Sequence, residues 1–254
     1  MLQYFRCLLA EFKKRNRSLF LLLHLAVPLI IAGTLVAYIS VRKHLLIADV
    51  LYKTFFEMLG VGTPLVIAII CGIVSDSEQQ AGNFQNMLKL TKFKGVTFIS
   101  QISMMVISYL FSVLLAIIIY TLSLKYLIGY SEINFSLYII TGIIFTVCAI
   151  FQYFFYQILG YKYGLGTCSI GGFAGLIISA MALTSIGDKV WGFLPWSWSN
   201  RFSLYLYNRF DTTGYFRETN NITNGYICWF IFTFFIIIFS ILWFKNWSGR
   251  RAEY

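Results

Sequence analysis

The chain has 254 residues, of which 59% are hydrophobic and only 12% charged, with mean hydropathy +0.74 and a net charge of +10. Soluble domains carry about 25% charged residues, and a chain this apolar could not hide its surface in a water-soluble fold of this size. The positive charge is spread along the whole length, which speaks against nucleic-acid binding and fits residues that flank membrane spans near anionic headgroups.

Residues 1–17 come first. Leu2, Phe5, Leu8, Leu9 and Phe12 recur at helical spacing while Gln3, Arg6 and Lys13 fall off that stripe, the pattern of an amphipathic helix lying in the membrane interface. A span needs roughly 20 apolar residues, and residues 19–39 supply the first. That run exceeds the 7–15-residue core usual in a cleaved signal peptide, so it is expected to remain as an anchor. The second span is expected at 55–74, with Glu57 near one end and Lys53 one turn away as its partner.

Residues 75–95 then interrupt the apolar sequence. Asp76 or Ser77 can cap a helix that carries Glu78 in its first turn, which suits the positive end of the dipole. Gln79, Gln80, Asn83 and Gln85 are uncharged hydrogen-bonding groups, Phe84, Met87 and Leu88 form an apolar face, and Gly82 permits close approach of another backbone. Such a short helix reads as a docking surface for another protein.

Further spans are expected at 97–122, 135–158 and 164–186. Gly160-x-x-x-Gly164 and Gly171-x-x-x-Gly175 bring small residues to the fifth, a spacing that lets helices approach closely, whether within the subunit or against a second one. Residues 187–225 follow. There Trp191, Trp196 and Trp198 surround Pro195; the rings favour the interface, and the broken run reads as a re-entrant or interface-hugging element. The sixth span is expected at 226–244. These runs are continuously apolar where a barrel strand would alternate, so the expectation is a single all-α polytopic domain over residues 1–254.

With the N-terminus in the cytoplasm, twelve lysines and arginines fall on the inner side and eight on the outer. The positive-inside rule then places both termini inside and residues 75–95 in the cytoplasm. The five cysteines (7, 71, 148, 168, 228) show no metal-like spacing and read as packing residues. No Gly-Lys dipeptide exists, so the P-loop route to ATP hydrolysis is closed. His24 and His44 are twenty residues apart, without the H-E-x-x-H pattern. G-x-S-x-G is missing as well, so the chain is not expected to be an enzyme.

A cytoplasmic interfacial helix, six spans, E-x-x-x-G-x-F-Q-x-x-L after the second span (Glu78, Gly82, Phe84, Gln85, Leu88) and GDKVWGFLPWSWSNR at residues 187–201 resemble the permease subunits of type-2 ABC exporters. Within that superfamily the chain is most similar to lantibiotic-immunity permeases of the bacterial cytoplasmic membrane. Leu90-Thr91-Lys92-Phe93 lacks the proline often found there. The resemblance implies that Glu78, Gln79, Gly82, Asn83, Phe84, Gln85 and Leu88 form a coupling helix seated in a groove of a separate ATPase. Two copies of that ATPase would hold the ATP and Mg, and this chain would bind no cofactor. It further implies a second permease, commonly a different one, with a pair of identical chains left open. Trp191, Pro195, Trp196 and Trp198 become candidate contacts for an exported peptide, with membrane lipid around them. A drug, lipid or polysaccharide cargo, or a membrane partner protein that transports nothing, are the alternatives.

Overall fold

The computed structural model describes residues 2–42, 44, 46–89, 93–210 and 222–250. The basic turn at 90–92, residues 211–221 of the long segment, Lys43 and Arg251 lie outside them.

Every regular element among the described residues is helical. In chain order they are α1 (Leu2–Arg15), α2 (Leu19–Val41), α3 (Ala48–Gln80), α4 (Gln85–Lys89), α5 (Lys94–Ser123, extended by a π turn at Leu124–Ile128), α6 (Phe135–Tyr163), α7 (Leu165–Met181), α8 (Trp198–Phe210) and α9 (Ile222–Asn246). Short 3-10 turns at Gly187–Lys189 and Trp191–Phe193 join α7 to α8. Five of these, α2, α3, extended α5, α6 and α9, are long and apolar enough to cross a membrane. The apolar helix α7 has 17 residues, about 25 Å at 1.5 Å per residue, and is shorter than the rest. The chain is an all-α, multi-pass membrane protein, and its backbone polar groups are satisfied within the helices as a hydrocarbon surround demands.

The helix α3 runs through the core, buried along its length from Leu51 to Glu78 and packed against α6 and α7. At 33 residues it is roughly 50 Å long, well beyond the ~30 Å hydrocarbon core. The peripheral helices α2 and α9 instead turn Leu22, Leu29, Ile30, Phe230, Phe234 and Phe235 outward, as lipid-facing helices do.

Glycine and proline set the central packing. Pro64 sits inside α3, and its ring frees the carbonyl of Gly60 four residues back. Ser179 Oγ of α7 donates to that carbonyl at 3.2 Å, and Asn200 Nδ2 of α8 donates to Ser179 Oγ at 3.3 Å. The side chain of Asn200 occupies the space a Cβ at Gly60 would need. The small residues of α6 and α7 are used within the subunit. Gly160 lies against the Cys71 carbonyl and Ser75 of α3, while Gly171 and Gly175 admit Tyr156, and Gly175 also meets Trp196. At Gly164, φ is +87°, which ends α6 and lets the chain reverse into α7.

A Cβ at Gly172 would sit 2.7 Å from Ala68 Cβ and 3.1 Å from Leu65 Cα, neither of which can swing aside. Gly172→Leu is therefore expected to lower the melting midpoint in detergent, at a cost of about 1–3 kcal/mol or more from overpacking. Gly166→Leu, on the same helix with nothing within 4 Å of its added Cβ, should leave the midpoint in place. Equal midpoints for the two variants would contradict the α3–α7 contact.

Beyond α7 the chain turns back along it. Trp196 meets Gly175, and its Nε1 donates to Tyr156 Oη at 2.8 Å. Tyr156 is 21 residues into α6, so Trp196 reaches deep along that helix. From there α8 climbs again: Ser199 Oγ donates to the Phe145 carbonyl at 3.3 Å, and Tyr52 Oη to the Ser203 carbonyl at 3.1 Å.

Candidate functional site

The end of the bundle that carries α1, here the basal end, gathers the polar residues of the 75–95 segment. It differs from the sequence expectation in one respect. Asp76, Ser77 and Glu78 do not begin a new helix; they form the last turns of α3, which continues to Gln80. Their capping propensity yields to partners contributed by distant segments.

Glu78 is 1% exposed. Its carboxylate receives Lys14 Nζ and the Arg15 guanidinium from α1, and Gln101 Nε2 of α5 lies 3.4 Å away. Arg15 also donates to Ser77. Glu11 joins the cluster through Gln101 Nε2 at 3.2 Å and Lys14 at 3.6 Å. Burial pushes the Glu11 carboxyl up from its ordinary value, and the Lys14 ammonium draws it part of the way back. Farther in, Gln157 Nε2 donates to Gln101 Oε1 at 3.1 Å and Tyr161 donates to the same oxygen. This network explains the orientation of α1. Its buried face is Cys7, Glu11 and Arg15, and the stripe of Leu2, Phe5, Leu9 and Phe12 points away from the bundle.

The chain then leaves α3 through an elbow. Gly82, Asn83 and Phe84 have φ of +122°, +48° and +64°. Such a conformation suits Gly and is tolerated by Asn, but for Phe it is strained. The turn is closed by Asn83 N–H to the Gln79 carbonyl at 2.6 Å and Phe84 N–H to the Glu78 carbonyl at 3.1 Å. Phe84 is 1% exposed, with its ring 4.7 Å from Trp247 and 5.2 Å from Tyr161. Met87 and Leu88 of α4 are buried beside it. The segment after α9 clamps the other side. Arg250 pairs with Asp76 at 3.1 Å, donates to Gln79 and to the Gly160 carbonyl, and receives Asn83 Nδ2 at its own carbonyl at 3.3 Å.

What remains exposed is a lip, Gln80, Ala81, Gly82, Asn83, Gln85 and Asn86, with Lys89 exposed beyond it at the end of α4. The elbow is thus an uncharged polar edge fixed on a buried base of aromatic rings and ion pairs. Among the residues implied by the motif, Gly82, Asn83 and Gln85 lie on the edge, Gln79 is half-buried, and Glu78, Phe84 and Leu88 lie in the base. Arg15, Gln101, Tyr161, Trp247 and Arg250, which complete the base, escaped sequence reasoning. Two polar glutamines in the basal parts of apolar helices, Gln101 and Gln157, were the signal available for it.

At the opposite end Trp191 and Trp198 are buried. Trp191 stacks edgewise on Phe202, its rings filling the space over Gly225. Trp198 donates from Nε1 to the Gly192 carbonyl at 2.9 Å and packs on Phe151. The carbonyl of Pro195 accepts from Gln152 Nε2 at 3.5 Å. These rings hold the returning segment inside the bundle, and Trp196 is half-buried beside Tyr156. Lys53 pairs with Asp49 at 2.7 Å.

No family model, curated protein or solved structure matches the chain.

Proposed function

We propose that this chain is the membrane-spanning permease subunit of an ATP-driven ABC exporter of the bacterial cytoplasmic membrane, with both termini cytoplasmic, and that its cargo is a lantibiotic-type peptide. Six spans are counted by taking α7, which runs antiparallel to α3 from Gly72 to Gly60, as a short fifth span, with the returning segment and α8 as the re-entrant element between it and α9. The interfacial α1 lays its apolar stripe in lipid. The observation that carries this reading is the elbow. A lip of neutral hydrogen-bonding groups stands on a base held from α1, α3, α5, α6 and the segment after α9, so a push on the lip would reach every one of these helices. A separate ATPase pair, carrying the ATP and Mg, would supply that push, and a second permease would complete the path.

The test is co-purification of the tagged chain with a P-loop ATPase expressed beside it. Gly82 is a poor place for a disrupting side chain, because φ of +122° strains any bulky substitute. Gln85 is exposed and helical. Gln85→Trp should weaken association about tenfold or more, as blocking a central interface position does, and should abolish peptide resistance at equal expression. Unchanged ATPase capture and unchanged resistance would overturn the coupling role.

A further inference from the structure

A cleft of about 530 Å³ opens sideways between α1, α2 and α5. Its walls divide into two chemistries. Phe20, Leu21, Leu25, Phe111 and Leu115 line the apolar part, with Leu21, Leu25 and Phe111 also reaching the outer surface. Lys13, Arg15 and Asn16 line the basal part, at the junction of α1 and α2. Between them stands His24, 6% exposed. Its Nδ1 lies 2.8 Å from the Phe20 carbonyl and donates to it, which leaves Nε2 buried in the cleft wall with no protein partner. A neutral imidazole whose Nδ1 carries the proton presents Nε2 as an acceptor, and a buried polar atom of this kind costs free energy unless something satisfies it.

We propose that the cleft is a binding site for one anionic glycerophospholipid, phosphatidylglycerol being the simplest, drawn from the leaflet in which α1 lies. The acyl chain fills the apolar walls. The phosphate faces the exposed Lys13 ammonium and Asn16, where a cation favours anionic lipid. The site does not depend on the exporter reading, and its occupant would wedge α1 against α2 and α5.

The test uses the purified full chain, delipidated and given equimolar phosphatidylglycerol and phosphatidylcholine, with retained lipid counted by native mass spectrometry. One phosphatidylglycerol should be retained, in preference to phosphatidylcholine by roughly tenfold. Lys13→Gln, at an exposed position, should cut that preference about fivefold. Leu25→Trp, which fills the cleft, should abolish retention, while Leu127→Trp, on an exposed residue at the other end of α5, should not. A photo-crosslinker at Phe111 provides a second measurement that does not require any of these variants to fold: it should recover lipid. Equal retention of the two lipids, retention indifferent to Lys13→Gln and Leu25→Trp, or a crosslink recovered on a peptide in place of lipid would each overturn the site.

Discussion

Replacing Glu78 with alanine is expected to release α1 from the bundle. The substitution removes the anion that Arg15 and Lys14 share and leaves the Arg15 guanidinium buried without it. Lys14 is 38% exposed in its side chain, so solvent screens its share and that contact adds little. Breaking the buried Arg15–Glu78 pair by removing one partner costs about 3–5 kcal/mol. Cys7 reports the outcome. It lies on the buried face of α1, and burial, with Glu11 near by, pushes its thiol up from the ordinary value, so in the native protein it should react slowly with maleimide. In a Cys228→Ser background, Glu78→Ala should expose Cys7 and raise its labelling rate at least tenfold, with a lower melting midpoint. Removing both charges, with Glu78→Met and Arg15→Met together, should recover most of the midpoint, because a buried pair replaced by apolar residues of similar volume is often neutral. A Glu78→Ala protein with unreactive Cys7 and an unchanged midpoint would show that the ion cluster does not hold α1.

Sequence reasoning located the five long apolar helices because continuous apolar runs of that length are visible without a structure. It placed α2 within two residues of its observed end, yet it started α3 seven residues late and stopped it six early. Hydropathy drops at Asp76 while the helix goes on, since Asp76, Glu78 and Gln79 find partners at Arg250, Arg15 and Arg250. Those partners are 63 to 174 residues away in sequence, and no local pattern encodes them. For the same reason the glycine spacing was visible in the sequence while its use was not. Gly160 and Gly175 could have faced a second subunit, and only the packing of α3, α6 and α7 turns them inward, onto Ser75 and Tyr156. The tryptophans were legible as a cluster with a preference for interfaces, but not their partners: Trp198 donates to the Gly192 carbonyl and Trp191 packs edgewise on Phe202. The α1 stripe was legible as a stripe; that a third face, Cys7, Glu11 and Arg15, would be the buried one follows from the charge of Glu78.

Phe84→Ala should loosen the elbow while the spans stay folded. Phe84 is the one bulky residue in the positive-φ turn, a conformation that costs on the order of 1–3 kcal/mol and persists only when its surroundings hold it. What holds it is the ring, packed on Trp247 and Tyr161. Truncating a buried phenylalanine to alanine costs about 3–5 kcal/mol, but the loss falls at one end of the bundle, away from the contacts of α3 with α7 and α8. The elbow should therefore open locally, as low-stability segments do, and the rest should melt almost as before. Hydrogen exchange at residues 82–89 would read this directly: protection should fall there by a factor of a hundred or more, with the amides of α6 and α7 unchanged. The Phe84→Trp exchange separates packing from backbone strain, because it keeps a ring in the box while retaining the positive φ, and it should preserve protection better than alanine. On the permease reading, a slack elbow moves without moving the spans, so Phe84→Ala should keep nucleotide hydrolysis by the bound ATPase and lose peptide resistance. Protection at 82–89 that survives the loss of the ring would mean that the hydrogen bonds of the turn and the Arg250 clamp hold the elbow by themselves, and the aromatic box would then have no part in transmitting force.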